Sequence, residues 1–86
     1  MMPNLKDLYQ LKKQASEMQK QLAEETIEAE SHGCHVTMNG SQEVLSINLN
    51  SELSKEDQEK HLQEAVNDCL KKVKELMAKT MMSMQQ

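Results

Sequence analysis

Cys34-His35-Val36-Thr37-Met38-Asn39-Gly40 and Val44-Leu45-Ser46-Ile47-Asn48-Leu49-Asn50 are the two runs on which the fold turns. Each alternates with a period of two, as a strand with one buried face does. In the first run Cys34, Val36 and Met38 share a side. In the second, Leu45, Ile47 and Leu49 point inward and Ser46 and Asn48 outward. Asn39-Gly40 lies between them and reads as a type I′ hairpin turn, which needs positive φ at both central residues. A hairpin with one apolar face requires something to cover it.

Downstream, Ser54-Lys55-Glu56-Asp57 resembles a capping box, with Ser54 as the N-cap and Asp57 reaching back. Acids open this segment (Glu56, Asp57, Glu59) and lysines follow later, an order that complements a helix dipole. Leu62, Ala65, Val66, Cys69, Leu70, Val73, Leu76 and Met77 form a wide apolar stripe. The predicted helix runs from about Lys55 to about Ser83, roughly 43 Å at 1.5 Å per residue. Strands of seven residues cannot cover that length, so the stripe from Val73 to Met84 calls for a second chain. An exposed Leu or Val forgoes roughly 1.5–3 kcal/mol of burial. The expected dimer contacts are Leu45, Ile47, Leu49, Val73, Leu76 and Met77.

Upstream, Leu8, Leu11, Ala15, Met18 and Leu22 recur at spacings of three and four, predicting a first helix over residues 3–24 with Pro3 in its first turn. Its narrow seam suits packing against one partner element. Residues 25–31 read either as a strand, with Ile27 and Ala29 on one face, or as continued helix, and Gly33 ends whichever it is. The order is helix, strands, helix, without repeat or linker: one compact α+β domain over residues 1–86.

The chain has 86 residues, two cysteines, eight methionines and Tyr9 as its single aromatic residue. A chain this short buries only about 60% of its unfolded surface, and with no Phe or Trp its core is marginal. That favours a homodimer. No secretory leader is read at the N-terminus, no apolar run approaches a membrane span, and two cysteines do not make a disulfide scaffold. The expected compartment is the cytoplasm.

Net charge is −4, and its distribution is uneven. Residues 1–20 hold four lysines and two acids, residues 21–68 eleven acids and two lysines, residues 69–86 four lysines and one acid. All ten basic residues are lysine, so bidentate guanidinium recognition is absent and lysines act as point charges. Lys6, Lys13 and Lys20 sit seven apart, opposite the Leu8/Leu11 seam, with Lys12 beside them. Lys71, Lys72, Lys74 and Lys79 form a second group. Both suit phosphate contacts without base specificity. An ordinary solvated helix face, or dipole complementation, accounts for them equally well.

His32, Cys34 and His35 cluster, but alternation puts Cys34 and His35 on opposite faces and no second ligand pair is near. No metal or cofactor is expected, and both cysteines read as small buried residues. Only Gly33 and Gly40 are present, which rules out a glycine-rich phosphate loop. No nucleophile has an orienting partner at a recognisable spacing. An enzyme with a small-molecule substrate is not expected.

Taken together, several segments resemble the YbaB/EbfC family of bacterial nucleoid-associated proteins. They are Leu11-Lys12-Lys13-Gln14-Ala15 through Met18-Gln19-Lys20-Gln21, Val36-Thr37-Met38-Asn39-Gly40 as V-x-x-N-G, Val44-Leu45-Ser46-Ile47-Asn48, and Ala65-Val66-Asn67-Asp68-Cys69 with the basic residues after it. The resemblance spans about Asn4 to Met82. It implies an α-β-β-β-α protomer, with a small antiparallel sheet between two long helices and residues 25–31 as the first strand. It also implies a homodimer that binds double-stranded DNA with little sequence preference and resides at the nucleoid. The chain departs from the family pattern at Ser41-Gln42-Glu43, where a basic residue is usual, and in having only lysine in its last helix. A small dimeric adaptor or chaperone, binding protein through a Met-rich helix end (Met77, Met81, Met82, Met84), is the competing expectation.

Overall fold

The computed structural model describes residues 4–84, with only the backbone of Met84. The chain runs α1 (Leu5–Glu24), β1 (Thr26–Ser31), β2 (Cys34–Asn39), β3 (Val44–Asn48) and α2 (Lys55–Met84). This is the α-β-β-β-α order, with residues 26–31 a strand. Pro3 lies outside the described residues. Asn4 caps α1, its side-chain oxygen accepting from the Asp7 N–H at 2.9 Å. Ser54 caps α2 likewise, accepting from the Asp57 N–H at 3.2 Å. Each cap satisfies a backbone donor that has no partner inside its helix.

The sheet is antiparallel in the order β1-β2-β3. Cys34, Val36 and Met38 on β2 and Ala29 on β1 turn one face toward α2, where Ala65, Cys69 and Val73 meet them. Ile27, Leu62, Val66, Leu70 and Met77 close the edges of this core. The alternation of β2 therefore predicts its buried side correctly. Both cysteines are buried, free thiols. The Cys69 thiol points at the Val36 carbonyl oxygen at 3.5 Å, and burial pushes its pKa up.

The turns differ from expectation. Gly40 does not have positive φ, so Asn39-Gly40 is not a type I′ turn. The residues with that conformation at a two-residue turn are His32 (φ 49°) and Gly33 (φ 87°), joining β1 to β2. At the second connection Asn39 works through its side chain. Its oxygen accepts from the N–H groups of Ser41 and Glu43 at 2.9 and 3.0 Å, and its amide donates to the Glu43 carboxylate at 3.1 Å. That network holds a longer loop with Gln42 at φ 65°, an Asx turn in place of the tight one.

Gly40 serves a close approach instead. Its N–H donates to the Leu22 carbonyl oxygen at 2.9 Å, satisfying an acceptor at the end of α1. A Cβ added there would lie 2.4 Å from that oxygen. Gly40→Ala is therefore expected to separate the loop from α1 and cost about 1–3 kcal/mol, as overpacking does. Urea unfolding measures the loss; an unchanged midpoint would mean that α1 is not held there.

One expected dimer contact and the inward reading of three residues need correction. Val73 was assigned to a dimer interface, yet it is fully buried within the protomer between Ala29, Val36 and Met38, because α2 lies directly over β1 and β2 and not beyond them. Leu45 does not follow the inward alternation, because the register shifts between Thr37 and Met38. Val44 pairs with Met38, Ser46 with Thr37 and Ile47 with Val36, which leaves Leu45 in the bulge. Ile47 and Leu49 are not buried either: Val44, Leu45, Ile47 and Leu49 are 47–54% exposed, since α2 does not reach over β3.

The seam of α1 is covered only at its C-terminal end. Leu22 is buried and Met18 partly so, while Leu8 and Leu11 are 49% and 59% exposed. The molecule is accordingly drawn out, 59 × 20 × 18 Å with a radius of gyration of 17.5 Å. A compact chain of this length would have a radius of about 12 Å.

Candidate nucleic-acid interface

α1 carries Lys6, Lys12, Lys13 and Lys20, and all four are exposed. At 100° per residue Lys6, Lys13 and Lys20 stay within one narrow row, opposite the leucine seam. Tyr9, Lys12, Lys13, Ser16 and Glu17 border a shallow depression on the same helix. The chain makes this row by placing lysine at the outward heptad position while apolar residues hold the seam.

α2 carries Lys71, Lys72, Lys74 and Lys79, also exposed. Measured from buried Val73, Lys71 lies on the far side of the helix and Lys72 and Lys74 flank it. These lysines are not dipole caps. α2 continues to Met84 and has no basic residue in its last turn, and the dipole's influence fades within that turn.

One lysine has other work. Lys72 Nζ donates to the Glu28 carbonyl oxygen at 2.9 Å and lies 3.5 Å from the Asp68 carboxylate. It ties α2 to β1 across a surface shared with Glu30 and His35. Among the described residues this is the one lysine in an ion pair, so the other seven predicted sites keep their charge uncommitted.

Nine of the fourteen acids share the two helices with the lysines, and two more lie on the sheet. Glu28 and Glu30 stand on the sheet face away from α2, with Thr37 and His35 as their cross-strand partners. His35 Nε2 is 3.8 Å from a Glu28 oxygen. Ser46 and Asn48 complete that face on β3. A polyanion would be repelled by Glu28 and Glu30 and would meet lysine on the outward row of α1 and on the later turns of α2.

A cleft of about 360 Å³ lies between the end of α1, the Gly40–Gln42 loop and Met77. Its lining (Gln19, Leu22, Gly40, Ser41, Gln42, Met77) contains no ionisable side chain, so it offers no acid or base, and none to activate the Ser41 hydroxyl. Leu76 and Met77 are partly exposed, Met81 and Met82 are 50% and 66% exposed, and the Met84 side chain lies outside the described residues. No helix among the described residues is long and apolar enough to cross a membrane.

Lysine strips on the outward row of α1 and the later turns of α2, with acids elsewhere on both helices and on the sheet, define a small α+β protein with surfaces for a polyanionic partner. The comparisons agree: the chain belongs to the YbaB/EbfC DNA-binding family, whose model matches residues 1–86. It is also similar in structure to the uncharacterized protein HP0035 from Helicobacter pylori. That likeness has a TM-score of 0.76 at 25% identity and covers 90% of this chain and 96% of the other. No curated protein sequence matches the chain.

Proposed function

We propose that this protein is a nucleoid-associated homodimer of the bacterial cytoplasm that binds double-stranded DNA without sequence preference. The observation that carries this reading is the set of nine exposed lysines with no carboxylate partner among the described residues, all of them on the two helices and seven of them at the predicted sites. Lysine meets a phosphate oxygen as a point charge and reads no base edge. The absence of arginine removes the side chain most used for bidentate guanine contact. A second copy doubles the lysines, which compensates for the weakness of each contact.

The apolar face of β3 is the surface proposed to meet the second copy. Ile47 and Leu49, with Val44 beside them, supply side chains that burial would stabilise. Leu76 and Met77 extend that surface along α2.

Anisotropy titration of a generic duplex from about 50 to 200 mM salt tests the reading. Log affinity should fall linearly with log salt, at about −0.9 per phosphate contacted. Charge reversal at Lys71, Lys74 and Lys79 together removes six lysines from the dimer, and should weaken binding to every duplex alike by at least about 10²-fold and flatten the slope by about five. Lys72 is left out of that set because its loss also frees α2 from β1. Unaltered affinity in the triple variant would remove α2 from the interface.

A further inference from the structure

The β1–β2 turn brings together residues 30 positions apart. His32 sits at its first central position, in the left-handed region that asparagine, aspartate and glycine occupy more easily. The early turns of α2 pass beneath it. His61 and Glu64 share one face of that helix at a spacing of three.

The side chains converge on Ser31. Its hydroxyl oxygen lies 3.3 Å from His32 Nδ1, 3.2 Å from His61 Nδ1 and 2.7 Å from Glu64 Oε2. His61 Nδ1 and Glu64 Oε2 are 3.0 Å apart. The two imidazoles stack with centroids 3.8 Å apart and planes at 23°. One ligand atom from each of His32, His61 and Glu64 falls within 4.8 Å of the other two.

We propose that His32, His61 and Glu64 form a binding site for a divalent transition metal ion of the zinc type, one per protomer. Two imidazole nitrogens and a carboxylate oxygen are a donor set that favours zinc, nickel or cobalt over magnesium or calcium. Metal–nitrogen bonds of about 2.0–2.1 Å place tetrahedral ligand atoms about 3.3 Å apart. The His61–Glu64 pair already has nearly that separation, and the His32 ring, stacked on His61, turns out of the stack to aim its nitrogen at the same point. Three protein ligands leave a fourth position for water or the Ser31 hydroxyl. His32 is exposed, which leaves an entry path, and the His61 side chain is only 13% exposed.

The serine network prepares the site. A serine hydroxyl has one proton to give, and the shortest contact directs it to Glu64. That hydrogen bond, and then the one from His61, hold the Glu64 carboxyl below the usual glutamate range. The ion would fasten the β1–β2 turn to α2, reinforcing the link already made there by Ser31 and the His32–His61 stack.

Thermal unfolding of tag-free protein, with zinc chloride or with magnesium chloride, tests the site. Zinc at a hundredfold excess over its dissociation constant should raise Tm by roughly 10 °C, and magnesium should not. His32→Asn keeps a residue suited to the left-handed turn, so it should fold normally yet lose most of the zinc shift. His61→Ala should abolish it, while His35→Asn, on the other sheet face, should retain it. Calorimetry should give one ion per chain. No zinc-dependent shift in the parent, or an undiminished shift in His32→Asn, would overturn the proposal.

Discussion

Ile47→Asp is expected to convert the protein to monomers and to lower its DNA affinity by about 10²–10³-fold at low salt. The cause lies in the covering of the sheet. Ile47 is opposite buried Val36 on the face toward α2, yet it is 48% exposed because the helix passes over β1 and β2 only. With Val44, Leu45 and Leu49 it forms an apolar strand at the sheet's edge, an arrangement that soluble proteins normally cover or charge. Completing the burial of a large aliphatic side chain stabilises by up to roughly 1.5–3 kcal/mol, and an aspartate would place an unpaired charge there, twice in a symmetric dimer. Folding of the protomer should be little affected, since the position is half open within it. Sedimentation measures the oligomeric state, and the anisotropy titration should show a salt slope about half the parental one. A variant that remains dimeric would move the interface to the other uncovered seam, Leu8 and Leu11 of α1.

The sequence made the apolar pattern visible and hid whatever depended on its placement. The stripe of α2, the Ser54 cap and the alternation of β2 all follow from side-chain period and local hydrogen bonding, which neighbours in sequence determine. Two dipeptides, His32-Gly33 and Asn39-Gly40, competed for the tight turn. The Asn-Gly preference chose wrongly, because the Asn39 side chain is used as an acceptor for two backbone N–H groups. Gly40 is required by α1, which begins 35 residues earlier and is invisible to a local rule. Val73 was misplaced for a related reason: stripe position marks the apolar side of a helix, not how far the sheet extends beneath it. The lysines were legible as rows, but the diversion of Lys72 to Glu28 and Asp68 needed the packing of α2 on β1. His32 stood out, whereas its partners His61 and Glu64 arrive only through the fold. Their spacing of three on a predicted helix was the available signal.

Met38→Ala is expected to cost about 2–5 kcal/mol, the range for emptying a buried site of this size. A chain of this length has only about 4–13 kcal/mol of stability in total. Met38 is the largest fully buried side chain, and it pairs with Ile27 on one side and Val44 on the other. It shares its core cluster with Ala29, Val36, Ala65, Cys69 and Val73, none of them larger than valine. Those short side chains fill little of the space a methionine leaves, so a cavity would persist. Leu8→Ala, at an exposed position, should stay within about 0.5 kcal/mol in the isolated protomer. Urea titrations at one fixed protein concentration compare the two, because the proposed dimerisation would make apparent stability concentration-dependent. A lower midpoint with an unchanged slope for Met38→Ala would reflect lost core packing. A loss under about 1 kcal/mol would mean that the core tolerates collapse, and that the second copy, not the α2-to-sheet contact, supplies most of the stability.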